Sequence, residues 1–276
     1  MKLPKRFSIL PAYFANLIRP TISAPNFLQV FQFLSQPSKR GRADVFIKSV
    51  SESHPSYQEV RFHENPAFPL FYPKKYRWVD FCQTVDECFN PHNWHNFLFP
   101  RFNIGPADVV IDCGAAEGLF TWFAAQRGAQ VHAFEPDAGF VASMRKSFAS
   151  SPQVSISHCA LGHRSGQAFL SEDEIFSRLT AANRGTPVEV RTLDDAMGEA
   201  KVTFLKADVE GYEFRVLLGA EAVIRRHHPR IAVTVYHPQN NVAEITDFLR
   251  ECLPSYQFAT KGIFDNGHPV LLQAWA

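Results

Sequence analysis

Short apolar runs alternate with longer amphipathic stretches from Ala107 to the C-terminus. Five of these runs have the length and the continuous apolar character of buried strands: DVVIDC (108–113), QVHAFE (130–135), VSISHC (154–159), VTFLKAD (202–208) and RIAVTVYH (230–237). Strands buried on both faces show this pattern, and strands that alternate with helices form a parallel sheet covered by those helices. The pattern therefore predicts an α/β domain built on a mainly parallel sheet.

The connections between the runs predict two helices and a hairpin. One helix follows Gly118 for about ten residues, and another covers about 211–228, ending before a proline. Two last strands, 255–260 and 269–276, are joined by the turn-rich GIFDNGH, which is typical of an antiparallel hairpin. Parallel strands need a longer crossover, so this hairpin adds an antiparallel strand and brings the predicted sheet to seven strands.

Residues 1–100 contain many aromatic residues and prolines without a long period. A short strand is predicted at 68–73, and a helix over 84–99 that is broken near Asn90 and Pro91. These differences in pattern divide the chain into an N-terminal appendage (1–58), a cap (59–100) and the main domain (101–276). We expect the cap to cover the ligand edge of the sheet, with the second substrate entering between cap and sheet.

Composition limits the classes of protein and partner. The chain has 276 residues, is 46% hydrophobic, and carries 28 basic and 27 acidic residues, a net charge of +1. Such a chain buries a full core, and its overall charge offers no general attraction for nucleic acid, so no nucleic-acid partner is predicted. The five cysteines are scattered and lack a C-x-x-C pair, which favours a reducing, cytoplasmic setting.

The first twenty residues, MKLPKRFSILPAYFANLIRP, are basic and apolar. Pro11 and Asn16 interrupt the apolar stretch, so no signal peptide is predicted, and the chain contains no run of about 18 apolar residues that would span a membrane. A helix formed here could lie on a membrane surface, although a solvated or packed helix is the favoured interpretation.

The segment VVIDCGAAEGLF places Asp112, Gly114 and Gly118 where the first strand turns into the first helix. Glycines at such a turn let the backbone pass close to a ligand. The second strand ends at Glu135 and Pro136, where a carboxylate can accept hydrogen bonds from both hydroxyls of a ribose. Together these features predict a nucleoside site.

The loop sequence discriminates between nucleoside cofactors. It lacks the G-x-G-x-x-G spacing of dinucleotide-binding proteins, and it contains two carboxylates, Asp112 and Glu117, that would repel a pyrophosphate. The same carboxylates would attract the ammonium and sulfonium groups of S-adenosylmethionine. The alternatives are a nicotinamide-dependent oxidoreductase on a similar sheet and a tight glycine turn without any nucleoside.

Several segments resemble the FkbM family of methyltransferases in order and spacing, over roughly residues 100–240. They are VVIDCGAAEGLF, VHAFEPD, CALGHRSG, VEVRTLDD and FLKADVEGYEFRVLLGAE, of which KADVEGYE is the most specific. The resemblance implies a Rossmann-like class I methyltransferase fold with S-adenosylmethionine as cofactor. It also implies methyl transfer to a hydroxyl of a sugar, glycan or natural product, and so a small-molecule or glycan acceptor.

Ten residues are predicted to contact the cofactor. The resemblance implies Asp208 beside the methyl-donor end and an adenine packed at the edge of the third strand, and two further loop residues belong to the same turn. The full set is Asp112, Gly114, Ala115, Glu117, Gly118, Glu135, Pro136, Ala160, Leu161 and Asp208.

Three residues are predicted to be catalytic: His237, Asp208 and Glu210. An imidazole suits proton transfer near neutral pH, and His237 should emerge at the ligand edge after the fifth strand, where many relatives have an acidic residue. Asp208 and Glu210 follow the neighbouring strand and would orient the donor, the acceptor or His237. Each residue also has a structural alternative: Glu210 could cap the next helix, and His237 could be a turn residue.

Other candidate chemistry is weaker. Lys206 could neutralise Asp208 or Glu210, or extend to the surface. Cys88, His92 and His95 have zinc-ligand chemistry, but Pro91 interrupts their helical spacing. Magnesium at Asp208 with Asp194 or Asp195 is not demanded by the spacing, so no metal is predicted. A cofactor-binding module without turnover would use the same cofactor residues, and the oligomeric state is not predicted.

Overall fold

A computed structural model describes residues 9–18, 25, 27–35, 39–170, 179–180 and 185–276. The helices are α1 (Ile9–Ile18), α2 (Phe27–Ser35), α3 (Lys39–Ala43), α4 (Trp78–Phe89), α5 (Leu119–Gln126), α6 (Ala138–Ser147), α7 (Leu193–Met197), α8 (Glu213–Leu218), α9 (Glu221–His227) and α10 (Val242–Cys252).

The strands form three sheets. They are β1 (Ile47–Ser51), β2 (Tyr57–Phe62), β3 (Leu70–Pro73), β4 (Val109–Cys113), β5 (Gln130–Phe134), β6 (Val154–Ser157), β7 (Ala160–Leu161), β8 (Gly166–Leu170), β9 (Leu179–Thr180), β10 (Thr186–Arg191), β11 (Phe204–Ala207), β12 (Arg230–Thr234), β13 (Gln257–Lys261) and β14 (Leu271–Trp275).

The central sheet has seven strands in the order β13-β14-β12-β11-β4-β5-β6. Strand β14 runs antiparallel to both β12 and β13, and the remaining pairs are parallel. The seven predicted strands and the closing hairpin are thus confirmed. The predicted helix at 211–228 is in fact two helices, α8 and α9, since the chain turns at Gly219 and Ala220 between them.

Two smaller sheets were not predicted from the sequence. One contains β1, β2 and β3 in antiparallel order, and it includes the predicted strand near 68–73. The other has the order β7-β10-β8-β9 and follows β6 along the chain. The apolar pattern of these short strands is weak because many of their positions are exposed, as in β1 and β8.

The helix predicted at 84–99 is confirmed in part: 84–89 and the break near Asn90 and Pro91 are present, but 91–99 are not helical. Helix α4 begins earlier, at Trp78, and ends at Phe89, with the backbone N–H of Asn90 closing the last turn on the carbonyl of Asp86. Pro91 cannot continue the helix, and the side chains of Asn90 and Asn93 both donate to the Asp86 carboxylate. The buried carboxylate thereby fixes the chain direction after α4.

Two large hydrophobic clusters account for most of the core. One contains cap residues such as Phe62 and Phe81 together with Trp122 of α5 and Val131 of β5. The other contains Leu205 and residues of α8, α9 and α10. The cap therefore shares a core with the central sheet. Among the helices of the described residues, none is long and apolar enough to cross a bilayer.

Candidate active site at the carboxyl edge of the central sheet

The loop between β4 and α5 passes unusually close to the neighbouring strand. Gly114 has φ = 73°, and a Cβ atom built there would lie 2.0 Å from the carbonyl oxygen of Asp208. Only glycine fits both this backbone conformation and this contact. Gly118, with φ = 82°, begins α5 and faces Met144 of α6, where a Cβ would lie 2.7 Å from that side chain. The two glycines therefore serve close packing of the loop.

Glu135 follows β5 and is almost completely buried. One carboxylate oxygen accepts the backbone N–H of Ala116 and the other accepts that of Asp137, each at 2.8 Å. Burial nevertheless raises the pKa of Glu135 to about 7. The carboxylate is thus fixed in position beside the β4–α5 loop, at the end of β5.

Asp112 and Lys206 form a buried ion pair. The Lys206 Nζ atom lies 3.0 Å from Asp112 Oδ1 and donates to the carbonyl of Gly114 at 2.7 Å. Burial opposes the charge of Lys206, but the carboxylates of Asp112 and Asp208 outweigh it, so its pKa lies above the ordinary value. Lys206 therefore does not extend to the surface, and its direct partner is Asp112, while Asp208 adds a favourable charge interaction.

Glu117 points towards the cap. Its side chain is buried beside Thr84 of α4, and burial raises the pKa of its carboxyl group to about 7. Within the part of the chain that the structure describes, its Oε1 atom has no hydrogen-bond partner. Glu117 is therefore a buried acidic group with an unused hydrogen-bond acceptor.

The turn after β11 is held by one buried glutamate. Glu213 accepts the backbone N–H groups of Val209 and Gly211, at 2.9 and 3.3 Å, and the side-chain N–H of Asn240 at 2.6 Å. Glu210, at the centre of this turn, has φ = 57°, a conformation that non-glycine residues rarely adopt. Glu213, the last residue of the KADVEGYE signature, therefore fixes the position of Glu210.

Asp208, Glu210 and His237 come together as predicted from the ends of β11 and β12. One carboxylate oxygen from each acid and one ring nitrogen of the histidine all lie within 4.8 Å of one another. His237 Nε2 is 3.5 Å from Glu210 Oε2, and Thr234 donates to Asp208 at 3.0 Å. His237 is buried, whereas the two carboxylates are partly exposed. We call these three residues the acid–histidine cluster.

A cavity of about 740 Å³ lies at this edge of the sheet. This is the size of a site for a cofactor or drug-sized ligand. Eight of the residues predicted for the site line it, namely Gly114, Ala115, Glu117, Glu135, Pro136, Ala160, Leu161 and Asp208, and Glu210 lines it as well. Three predicted residues are outside the cavity wall and contact residues that form it: Asp112 contacts Lys206, Gly118 contacts Ala115, and His237 contacts Glu210.

A family model described as the methyltransferase FkbM domain matches residues 112–256, which is more than half of the chain. The chain belongs to the FkbM methyltransferase family. The match includes the β4–α5 loop, Glu135 and the whole acid–histidine cluster. No curated protein matches the sequence.

The structure of a methyltransferase FkbM from Methylobacillus flagellatus KT is similar to this FkbM protein, with 17% identity and a TM-score of 0.52. The match covers 97% of this chain and 59% of that protein, so the chain spans less than two thirds of its length. A putative methyltransferase from Streptococcus mutans, in complex with SAH, has 11% identity and a TM-score of 0.39, over 62% of this chain and 90% of that one. The first likeness shows the Rossmann-like fold of class I methyltransferases.

The cap lines part of the cavity of this FkbM protein, and the sequence did not identify its contacts with α6. The ring of Tyr76 stacks on Phe140 of α6 with centroids 4.2 Å apart, and its hydroxyl donates to Asp137. Lys75 and Tyr76 both line the cavity. A Cβ atom at Gly139 would lie 2.3 Å from the Lys75 ammonium. No short motif signals these contacts, because they join segments about 60 residues apart.

Proposed function

We propose that this protein transfers a methyl group from S-adenosylmethionine to a hydroxyl oxygen of a sugar, glycan or natural product. The proposal rests on one observation: two carboxylates of the acid–histidine cluster line the same cavity as Glu135 and the glycine loop. A nucleoside site and a set of proton acceptors thus share one enclosed space. Membership of a methyltransferase family supports the same reaction class.

The residues present fit the cofactor. Gly114 leaves room where any side chain would collide, and the fixed carboxylate of Glu135 stands where a ribose would be held. Ala160 and Leu161 of β7 supply a buried apolar wall on which an adenine can pack. Asp208 would face the donor end, and the buried Glu117 carboxylate offers a further polar contact.

S-adenosylmethionine, when bound, supplies an electrophilic methyl group attached to a sulfonium. The protein therefore needs mainly to hold an acceptor oxygen in line and to remove its proton. Asp208 and Glu210 line the cavity and can accept hydrogen bonds from an acceptor hydroxyl. Because Glu213 and Thr234 hold this turn, the two carboxylates are positioned before any acceptor arrives.

We propose that the proton of the acceptor hydroxyl moves to His237. One side-chain atom from each residue of the acid–histidine cluster lies within 4.8 Å of the other two. A point therefore exists that is within about 2.8 Å, a hydrogen-bond distance, of all three atoms. A hydroxyl oxygen at that point would contact His237 as well as both carboxylates. The imidazole takes the proton, and Glu210, 3.5 Å away, stabilises the resulting positive charge.

The five free, buried cysteines support a reducing compartment, the cytoplasm, as the setting.

The test is release of S-adenosylhomocysteine with a panel of hydroxylated and amino acceptors. We expect turnover with a hydroxylated acceptor, and we expect His237→Ala to lower kcat at least about a hundredfold while the affinity for S-adenosylhomocysteine changes less than about threefold. His92→Ala, at an exposed histidine outside the cavity, is the matched control and should keep wild-type activity.

Two outcomes would contradict the proposal. Turnover restricted to amines, with His237→Ala as active as the wild type, would assign nitrogen as the acceptor atom. Binding of S-adenosylhomocysteine without turnover across the panel would favour a binding module.

A further inference from the structure

Helix α2 is apolar on two separate faces. Val30 is buried, and the ring of Phe33 stacks on Trp94 with centroids 4.3 Å apart, so one face packs on the body of the protein. Phe27, Leu28 and Phe31 lie on the other face and are 70%, 62% and 58% exposed. A helix that only packed on the body would need one apolar face, so the second face requires its own explanation.

Helix α1 repeats this arrangement. Ile9 and Tyr13 are buried in the same cluster as Val30 and Trp94, whereas Phe14 is 56% exposed. Neither helix contains a charged residue: their sequences are ILPAYFANLI and FLQVFQFLS. The two helices are therefore anchored on the protein and present large apolar side chains outward.

The charges of the surrounding sequence are all positive. Residues 1–43 contain seven basic residues and no acidic one: Lys2, Lys5, Arg6, Arg19, Lys39, Arg40 and Arg42. The whole chain has 28 basic and 27 acidic residues, so residues 44–276 hold 21 and 27 and have a net charge of −6. Lys2, Lys5, Arg6 and Arg19 lie outside the described residues, and Arg42 pairs with Asp86. Along the sequence, residues 1–43 thus carry a net charge of +7, and both apolar helices belong to this stretch.

We propose that α1 and α2 dock the protein on an anionic lipid surface, with the exposed phenylalanines and Leu28 inserted at the headgroup boundary and the net positive charge of residues 1–43 attracting the anionic lipid. Apolar side chains flanked by basic residues are the combination that binds at a membrane interface. A nucleic acid would be attracted by the basic residues but would gain little from four outward apolar side chains on uncharged helices.

Docking in this way would bring the active-site edge close to the lipid. Tyr236, which precedes His237, packs against the same cluster as Ile9 and Val30, and its ring stacks on Phe264 at 4.5 Å between centroids. The helices therefore lie beside the end of β12. This placement follows from the packing alone and does not depend on the reaction that the site performs.

The experiment is flotation of the full chain with vesicles of phosphatidylcholine, with and without about 30% phosphatidylglycerol. We expect binding only to the vesicles that contain phosphatidylglycerol, and weaker binding as salt rises from about 0.1 M to about 1 M. The double variant Phe27→Ser, Phe31→Ser should bind at least about tenfold more weakly. Its circular dichroism and its affinity for S-adenosylhomocysteine should match those of the wild type. These two measurements separate a loss of vesicle binding from misfolding or a defect in the cofactor site.

The matched control changes two exposed apolar residues elsewhere, Val50→Ser and Leu218→Ser, and should bind vesicles like the wild type. Equal vesicle binding by the Phe27 and Phe31 double variant would overturn the proposal. So would self-association in light scattering that the double variant abolishes, since the outer face would then serve a second copy. Binding of a single-stranded oligonucleotide in place of vesicles would assign the basic segment to nucleic acid instead.

Discussion

The Lys206 ammonium lies 3.0 Å from a carboxylate oxygen of Asp112, and both side chains are buried beside the loop that carries Gly114. The pair joins β11 to β4, where the two residues face each other in the parallel register. Lys206 also donates to the Gly114 carbonyl, so the pair links two strands and the cofactor loop.

Removal of one member of this pair should destabilise the protein strongly. We expect Lys206→Met to lower the free energy of unfolding by about 3–5 kcal/mol, because the Asp112 carboxylate would be left buried without a counter-charge. The measurement is urea denaturation. Arg250→Met, which breaks an exposed helical pair with Asp247, is the control and should cost less than about 1 kcal/mol. A Lys206→Met protein as stable as this control would show that the pair is not structural.

A methyl group at Gly114 should block the loop. We expect Gly114→Ala to abolish binding of S-adenosylhomocysteine and to lower the free energy of unfolding by at least about 2 kcal/mol, since the new Cβ would collide with the Asp208 carbonyl. Gly105→Ala is the matched control, because a Cβ there meets nothing within 4 Å. Calorimetry and denaturation of the two variants check this, and equal ligand affinity would contradict it.

The sequence predicted the central sheet well because its strands are buried on both faces. Strands β4, β11 and β12 read as mainly apolar runs, and each is within three residues of its predicted ends. The meeting of Asp208 and His237 was also predictable, since neighbouring parallel strands end at the same edge.

The sequence could not supply strand register or long-range contacts. Lys206 contacts Asp112 because the register of β11 against β4 sets them opposite each other, and no local pattern encodes that register. The contact between Tyr76 and Phe140 depends likewise on how the cap packs. The boundaries at 58 and 100 remain predictions from composition.

The buried carboxyl group of Glu117 should make stability depend on pH. Burial raises its pKa in the folded protein from 4.5 to about 7, so the folded state holds the proton more tightly than the unfolded state. The resulting penalty is absent below about pH 4.5, grows as pH rises, and is complete above about pH 7, where it amounts to about 3 kcal/mol.

The isosteric variant Glu117→Gln removes this penalty. It should therefore be more stable than the wild type at about pH 8, and the difference should shrink towards zero near pH 4.5. Urea denaturation at both pH values measures it, with Glu244→Gln on the exposed face of α10 as the control. A stability difference that does not change with pH would show that Glu117 has the same pKa in the folded and unfolded protein, which contradicts the raised pKa.

Calorimetric titration with S-adenosylhomocysteine tests the central claim most directly. We expect the wild type to bind it and not to bind a nicotinamide dinucleotide, Glu135→Ala to bind it more than about tenfold less tightly, or about 1.4 kcal/mol, and Glu244→Ala to bind it like the wild type. Failure of the wild type to bind S-adenosylhomocysteine, or a preference for the dinucleotide, would contradict the assignment of this cavity to S-adenosylmethionine.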